Sequence, residues 1–215
     1  MSSSQQPTLY FTPTSCGAAS FLAQHIAGLN LPAVEVDLQS HKVKKDGSDF
    51  YKINPKGNVP ALTGLPNGLV LNEGAAVLQW IADQAPASRL APAAGTLERY
   101  ELLNDFNFVA TDLHAAGFGP LFNPALGDDA RKAQKEKLGG KLKFLNDHLL
   151  QGGKKFLVGE RLSIADLYLV TVLSWAGYTQ VDLSQLSNVN AYVQNINAQP
   201  EVVKAREALA NATKA

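Results

Sequence analysis

The chain has 215 residues, of which 46% are hydrophobic and 18% are charged, a composition that supports a packed core and excludes a disordered chain. Its 19 lysines and arginines balance its 19 aspartates and glutamates, which argues against a general nucleic-acid binder, since such a protein needs a basic surface. No apolar run approaches the roughly 18 residues of a membrane span. The first six residues lack the basic and apolar regions of a signal peptide.

A single cysteine, Cys16, excludes an internal disulfide and any multi-cysteine metal site. The histidines show no metal-binding spacing; they are His25, His41, His114 and His148. We therefore expect a reducing, cytoplasmic setting and no metal, and we look for chemistry at the thiol.

Strand-like and helix-like patterns alternate in the first part of the chain, which predicts an α/β layer. The predicted elements are a strand over 8–12, a helix over 16–29, a strand over 33–38, a polar stretch over 39–57, short strands over 59–63 and 69–71, and a helix over 73–84. The turn between the two short strands is predicted at Asn67–Gly68.

A segment rich in Pro, Ala and Gly, residues 85–95, is typical of a domain boundary, and only helical patterns follow it. Apolar residues recur every three or four positions from Leu97 to Leu113, which predicts one long amphipathic helix. Further helices are predicted over 130–150, 164–177, 189–198 and 202–211. Ser163–Asp166 fits a capping box at the start of one of them. We expect domains at 1–84 and 96–215, joined by the linker 85–95.

Cys16 follows a predicted strand and opens a predicted helix. The partial positive charge and spare N–H groups of a helix start favour a thiolate, which predicts a lowered pKa for this thiol. A lone cysteine among alanines and glycines is equally consistent with a small buried hydrophobe.

Glu73 and Gly74 lie between a short predicted strand and a helix. The N–H groups of the helix start attract a carboxylate, and the Glu73 side chain suits an ammonium group, so the pair can hold the two charges of an amino acid. Ordinary helix capping by Asn72 and Glu73 is the alternative interpretation.

Asn58, Val59 and Pro60 precede the predicted hairpin. If the bond before Pro60 is cis at the sheet edge, the N–H and C=O of Val59 are free to pair with the backbone of a ligand. Lys56–Gly57, just before, is equally consistent with a plain surface turn.

These segments, in this order, resemble the cytosolic glutathione transferases. The segments that carry the resemblance are Leu9–Cys16, Asn54–Leu62, Leu71–Gly74 and Ser163–Asp166. Thr12–Cys16 is most similar to the bacterial beta class, whose members use a cysteine where other classes use tyrosine or serine. The resemblance implies a thioredoxin-like, glutathione-binding domain followed by an all-helical domain that contributes the site for a hydrophobic cosubstrate. It also implies glutathione as cosubstrate and a homodimer.

The resemblance also implies roles for particular residues. Glu73 and Gly74 would bind the γ-glutamyl end of glutathione. Val59, before Pro60, would pair with the cysteinyl backbone of glutathione, and the Asn58 side chain would add a hydrogen bond to the peptide. His41 or Lys42 would meet the glycyl carboxylate. Asp112 would reach the glutathione of the partner subunit.

His114 resembles the helical histidine of the beta class, although a solitary helical histidine is more often structural. The apolar cosubstrate would meet Phe11, Thr111, Phe118 and Trp175, with Asn107, Thr111, His114 and Phe118 on one helix face.

Two departures bear on the chemistry. Phe11 stands where the beta class usually has a tyrosine, and strand alternation aims the neighbouring Tyr10 at the opposite face. Ala115 stands where that class often has lysine.

We expect a transferase that acts through the glutathione sulfur. It would conjugate small electrophiles, exchange glutathione mixed disulfides through Cys16, or do both, with thiol transfer or peroxide reduction as an accessory activity. The alternatives are a non-catalytic, glutathione-dependent ligand carrier, which the missing phenol favours, and an assembly module that binds no glutathione.

Overall fold

The computed structural model describes residues 6–213. The signal-peptide prediction concerned the first six residues, and of these only Gln6 lies in the described part. The chain divides into two compact units. The first joins the chain up to Ala91 with the segment that begins at Pro200, and the second is Pro92–Gln199. No helix in residues 6–213 is long and apolar enough to cross a membrane.

A four-stranded mixed sheet forms the centre of the first unit, with strand order β3-β2-β1-β4. The strands are β1 (Thr8–Phe11), β2 (Ala33–Asp37), β3 (Lys42–Val43) and β4 (Ala61–Thr63). Strand β1 pairs in parallel with β2, placing Leu9 opposite Ala33, and in antiparallel fashion with β4, placing Leu9 opposite Leu62. Because side chains alternate along a strand, Leu9 and Phe11 are buried while Tyr10 lies on the other face.

Three helices complete the first unit: α1 (Gly17–Ile26), α2 (Gly74–Gln84) and α8 (Pro200–Ala212). Helix α8 packs against α1 and buries Val202 and Ala205. The sequence places this helix with the helical half, whereas the structure gives it to the first unit. Hydrophobic periodicity indicates that one face of this helix is buried, but it does not indicate which helix covers that face.

The predicted hairpin is only half formed. The turn lies where expected, with positive φ at Asn67 (59°) and Gly68 (69°), but the returning strand is reduced to a single bridge between Leu62 and Leu71. The polar stretch before it contributes a 3₁₀ turn, Phe50–Lys52, and the short strand β3, and the sequence pattern does not indicate this strand.

Helices alone form the regular structure of the second unit. They are α3 (Leu97–Asn107), a π-helical segment (Phe108–Phe118), α4 (Asp128–Phe144) with a π-helical end (Leu145–Leu149), α5 (Ile164–Leu173), α6 (Ala176–Thr179) and α7 (Ser187–Asn197). Every residue of α5 is buried, which makes it the central helix of this unit. The fold class predicted from the sequence, a thioredoxin-like α/β half and a helical half, is confirmed.

The long helix predicted from Leu97 to Leu113 is not a single α-helix, because the chain winds as a π-helix from Phe108 onward. Gly117 permits the packing there, since a Cβ on this residue would lie 2.7 Å from the carbonyl oxygen of Asp112. The wider π turn shifts the residues relative to one another around the axis. Thr111 is exposed and Phe118 is fully buried, so the predicted single face through both residues is wrong.

Candidate functional site

Cys16 lies immediately before α1, and its thiol donates a hydrogen bond to the carbonyl oxygen of Val59, with an Sγ–O distance of 3.2 Å. The peptide bond that follows, Val59–Pro60, is cis. The structure therefore places the cysteine and the segment before β4 in direct contact, although they are 43 positions apart in the sequence.

The thiol of Cys16 is not an activated thiolate in this structure. Burial raises its pKa to about 12, and the negative charge of Glu73 adds to the rise. The backbone N–H groups of Cys16 and Gly17 do lower the pKa, as a helix start should, but they are outweighed by burial. The predicted lowered pKa is therefore wrong, because the sequence reveals the helix start and not the loss of solvent around the sulfur.

Asn54 ties the segment of Val59 to the start of α2. It is fully buried, and its amide nitrogen donates to the backbone oxygen of Asn58 at 2.7 Å and to the side-chain oxygen of Asn58 at 2.8 Å. Its own side-chain oxygen accepts from Asn72 at 2.8 Å, and Asn58 donates to the backbone oxygen of Asn72 at 3.1 Å. Sequence reasoning missed Asn54, although its place at the start of the Asn-Pro-Lys-Gly turn is a signal for such a role. Asn58, predicted to bond a ligand, uses its side chain within the protein.

Glu73 is the last residue before α2, but its carboxylate does not cap the helix. The side chain is 65% exposed and forms an ion pair with Lys56, whose Nζ lies 2.5 Å away. Asn72 does not cap either, because its amide bonds Asn54. Ordinary capping by these residues is thus excluded, and the first N–H groups of α2, from Gly74 onward, have no intrahelical acceptor. The helix start and the exposed carboxylate lie side by side.

His41 and Lys42 lie on the loop and strand near Gly57. The His41 ring packs at a tilt against Tyr51 with centroids 4.6 Å apart, and its Nδ1 lies 3.1 Å from the carbonyl oxygen of Gly57. Gly57 has φ of 68°, and a Cβ there would lie 2.6 Å from the Tyr51 ring, so a side chain cannot be accommodated without movement. Lys42 is exposed on β3.

His114, in the π-helical segment of the second unit, is held by two aromatic residues. Its Nδ1 lies 2.6 Å from the hydroxyl of Tyr168, and its ring meets Trp175 edge-on at 4.9 Å between centroids. Burial lowers the pKa of His114 below its ordinary value of 6.5, so the ring is neutral at pH 7.

Two of the residues predicted to face an apolar cosubstrate are buried in this structure. Phe11 is 1% exposed and packs against Phe21 with centroids 4.9 Å apart. Phe118 is fully buried against Trp175 at 6.1 Å. Neither ring is open to solvent in this structure, and the contact of each with a cosubstrate stays a prediction. The orientation predicted for Tyr10 is confirmed, since its ring packs against Phe50 on the opposite face of the sheet.

Asp112 and Thr111 lie side by side on the π-helical segment. Asp112 pairs with Lys141 and accepts a 2.9 Å hydrogen bond from Thr111. The hydrogen bond from Lys141 and the one from Thr111 hold the pKa of Asp112 below its usual range. Asp112 is therefore a charged residue whose partner in this structure belongs to its own chain.

Comparison with known proteins identifies the family. Residues 8–83 match the glutathione S-transferase N-terminal domain and residues 110–200 the glutathione S-transferase C-terminal domain. Glutathione S-transferase GstA of Escherichia coli O157:H7 is 35% identical over 200 residues, which span 93% of this chain and 97% of that protein. The chain belongs to the glutathione S-transferase family.

Solved structures agree with this assignment. A sphingomonad glutathione S-transferase complexed with glutathione superposes with a TM-score of 0.86 at 39% identity, over 94% of this chain and 98% of that one. A bacterial beta class glutathione S-transferase of Sphingomonas chungbukensis superposes with a TM-score of 0.85 at 39% identity, with the same coverage. The predicted kind of enzyme, a glutathione transferase, is therefore confirmed.

Proposed function

We propose that this chain is a beta-class glutathione transferase that acts through the sulfur of glutathione, with Cys16 beside the reacting atom. One observation carries the proposal: the thiol of Cys16 lies 3.2 Å from the carbonyl oxygen of Val59, the backbone group that would pair with the cysteinyl residue of glutathione. The similarity to a sphingomonad enzyme complexed with glutathione supports glutathione as the ligand.

The first unit offers groups that match the polar ends of the peptide. The α-carboxylate of the γ-glutamyl end would accept hydrogen bonds at the start of α2, at Gly74, and the ammonium group would pair with Glu73. Lys42 or His41 would meet the glycyl carboxylate. The cysteinyl N–H would bond Val59, whose carbonyl oxygen has a second lone pair beside the one that the Cys16 thiol uses.

Cys16 is best suited to act as a hydrogen-bond donor. A thiol with a pKa of about 12 remains protonated at neutral pH. Its S–H would rotate from Val59 toward the glutathione thiolate, and that hydrogen bond would stabilise the thiolate before it attacks an electrophilic carbon. Conjugation of small electrophiles is accordingly the principal reaction that we propose, with His114 as a second catalytic residue and Thr111 and Trp175 as contacts of the cosubstrate.

Thiol exchange is the second candidate, favoured by the same short distance between Cys16 and Val59. The Cys16 thiolate would attack the glutathione sulfur of a mixed disulfide, forming a Cys16–glutathione disulfide and releasing the other thiolate. A second glutathione thiolate would then attack that disulfide, releasing oxidised glutathione and the Cys16 thiolate. This cycle requires ionisation of Cys16, which burial opposes, so we rank it below conjugation.

A single experiment separates these functions. The intact mass is recorded after incubation with oxidised glutathione at neutral pH and again after addition of reduced glutathione, and conjugation of a small aromatic halide is measured in parallel. Since Cys16 is the only cysteine in the sequence, any glutathionyl adduct must lie on Cys16. We expect conjugation with little adduct. Rapid, reversible gain of one glutathionyl group would favour exchange, whereas binding without turnover of either substrate would support the carrier.

We also propose that the enzyme is a cytoplasmic homodimer and that it serves detoxification. In the dimer, Asp112 would reach the ammonium group of glutathione bound to the partner subunit, in exchange for part of its pairing with Lys141. Light scattering after size exclusion checks the dimer. An unchanged affinity for glutathione in Asp112→Asn would remove that role from Asp112.

A further inference from the structure

Tyr168 and His114 form a close, partly buried polar pair inside the helical unit. Their Oη–Nδ1 distance of 2.6 Å is short even for a hydroxyl donor. Tyr168 is only 3% exposed and its ring packs against Phe106 at 5.3 Å, so the hydroxyl has a fixed position. The mechanism proposed above uses His114 and assigns nothing to Tyr168.

A neutral imidazole carries its proton on one nitrogen only, and the hydrogen bond made by the other nitrogen decides which one. A phenol is a stronger acid than a neutral imidazole N–H, and an imidazole nitrogen is a better acceptor than a phenol oxygen. The Tyr168 hydroxyl therefore donates to Nδ1 of His114. The proton of the ring is then left on Nε2.

We propose that Tyr168 is a positioning residue that holds His114 in the tautomer with its proton on Nε2, so that His114 serves the reaction as a neutral hydrogen-bond donor and not as a base. The importance of this arrangement for turnover rests on the proposed function, while the tautomer itself does not. Within residues 92–199, all of which are described, no residue accepts a hydrogen bond from Nε2.

Both partners are held by their surroundings. Tyr168 lies two positions after Asp166, which the capping box at the start of α5 fixes in the core. On the other side, the Gln134 amide donates to the carbonyl oxygens of Ala116 and Gly117, at 2.6 Å each, and so anchors the π-helical segment just after His114. The hydrogen bond between Tyr168 and His114 thus joins two anchored segments.

The test reads the tautomer directly. In protein labelled with ¹⁵N-histidine, two-bond ¹H–¹⁵N correlation spectra distinguish a protonated from an unprotonated ring nitrogen, and the His114→Gln spectrum assigns the signal among the four histidines. We expect the wild-type protein to carry the proton on Nε2 and Tyr168→Phe to show a mixture of tautomers. Tyr178→Phe is the matched control, since it removes a hydroxyl from a residue of the same unit that is 80% exposed.

Kinetics connect the tautomer to turnover. Loss of one ordering hydrogen bond predicts a fall in kcat of about five- to tenfold in Tyr168→Phe, with an unchanged KM for glutathione. His114→Gln, whose amide can donate from near the Nε2 position, should retain more activity than His114→Asn. Circular dichroism and thermal unfolding verify that each variant is folded.

The outcomes are separable. A wild-type proton on Nδ1, or a tautomer unaffected by Tyr168→Phe, would overturn the positioning role. A changed tautomer together with unchanged turnover would support the positioning of His114 and would count against its proposed catalytic role. If Tyr178→Phe lost as much activity as Tyr168→Phe, the link between the His114 tautomer and turnover would be overturned.

Discussion

The two units each place an acidic residue at the start of a helix, and the two residues behave in opposite ways. Asp166, at the start of α5, is fully buried, and its carboxylate accepts hydrogen bonds from the N–H groups of Ser163 and Leu157, each at 2.7 Å, and from the Tyr192 hydroxyl at 2.5 Å. Glu73, at the start of α2, is 65% exposed, caps nothing and pairs with a lysine on the surface.

The difference separates a structural acid from a binding acid. All the groups that can satisfy Asp166 belong to the protein, so its hydrogen bonds stabilise the fold and leave nothing for a ligand, although burial raises the pKa of its carboxyl. Glu73 keeps its carboxylate and the neighbouring helix start open to solvent, which is what recognition of a zwitterionic ligand requires. The two residues should therefore respond differently to substitution: one in stability, the other in binding.

Asp166→Ala should cause the largest change. It leaves the buried N–H groups of Ser163 and Leu157 and the Tyr192 hydroxyl without their acceptor, so we expect a loss of about 3–5 kcal/mol in the free energy of unfolding, measured with urea. Asp128→Ala, at the exposed start of α4, is the control and should change little. A loss below about 1 kcal/mol would mean that the Asp166 network contributes little to stability.

Glu73→Gln should leave stability almost unchanged and weaken glutathione binding by about ten- to a hundredfold, as expected for a lost hydrogen bond to a charged group. Isothermal titration calorimetry measures the affinity, and Glu98→Gln, at an exposed acid near the start of α3, serves as control. Unchanged affinity would place the ammonium group elsewhere and would remove the contrast with Asp166.

His114→Gln should alter how stability depends on pH. Burial lowers the pKa of His114 in the folded protein, so the unfolded chain binds this proton more readily. The site therefore contributes stability that is fully present above about pH 6.5 and is lost as the pH falls through the lowered pKa. We expect the variant to lose less stability than the wild type on acidification, and His148→Gln, at an exposed site, to follow the wild type. Parallel curves for all three proteins would contradict the burial argument.

Lys56→Ala should have the smallest effect. Its ion pair with Glu73 is exposed on both sides, so its loss should change stability by less than about 1 kcal/mol. Since Lys56 competes with a ligand ammonium for the Glu73 carboxylate, glutathione should bind equally well or up to about threefold more tightly, whereas Lys52→Ala should have no effect. Weaker binding in Lys56→Ala would show that the lysine itself contacts the ligand.

The sequence was sufficient where the determining interactions are local. Alternation predicted the buried faces of β1, and the spacing of Ser163 and Asp166 predicted the capping box at the start of α5. It was insufficient where tertiary packing decides. Cys16 has the helix start that lowers a thiol pKa, but its burial, which raises it, depends on distant residues.

Two further differences have the same origin. The π-helical winding of Phe108–Phe118 depends on close packing at Gly117, which hydrophobic periodicity does not reveal. The role of Asn54 depends on a hydrogen bond with Asn72, 18 positions away. For the candidate site, motif spacing found the residues, but their ionisation and hydrogen bonds required the structure.

The packing of α8 on α1 has a consequence for biosynthesis. The ribosome makes α1 near the beginning of the chain and α8 near its end, with the whole helical unit in between. Until α8 emerges, the face of α1 that it covers has no partner from its own unit. A nascent chain, or a chain truncated after α7, would therefore expose an apolar helix face and should depend on chaperones to avoid aggregation.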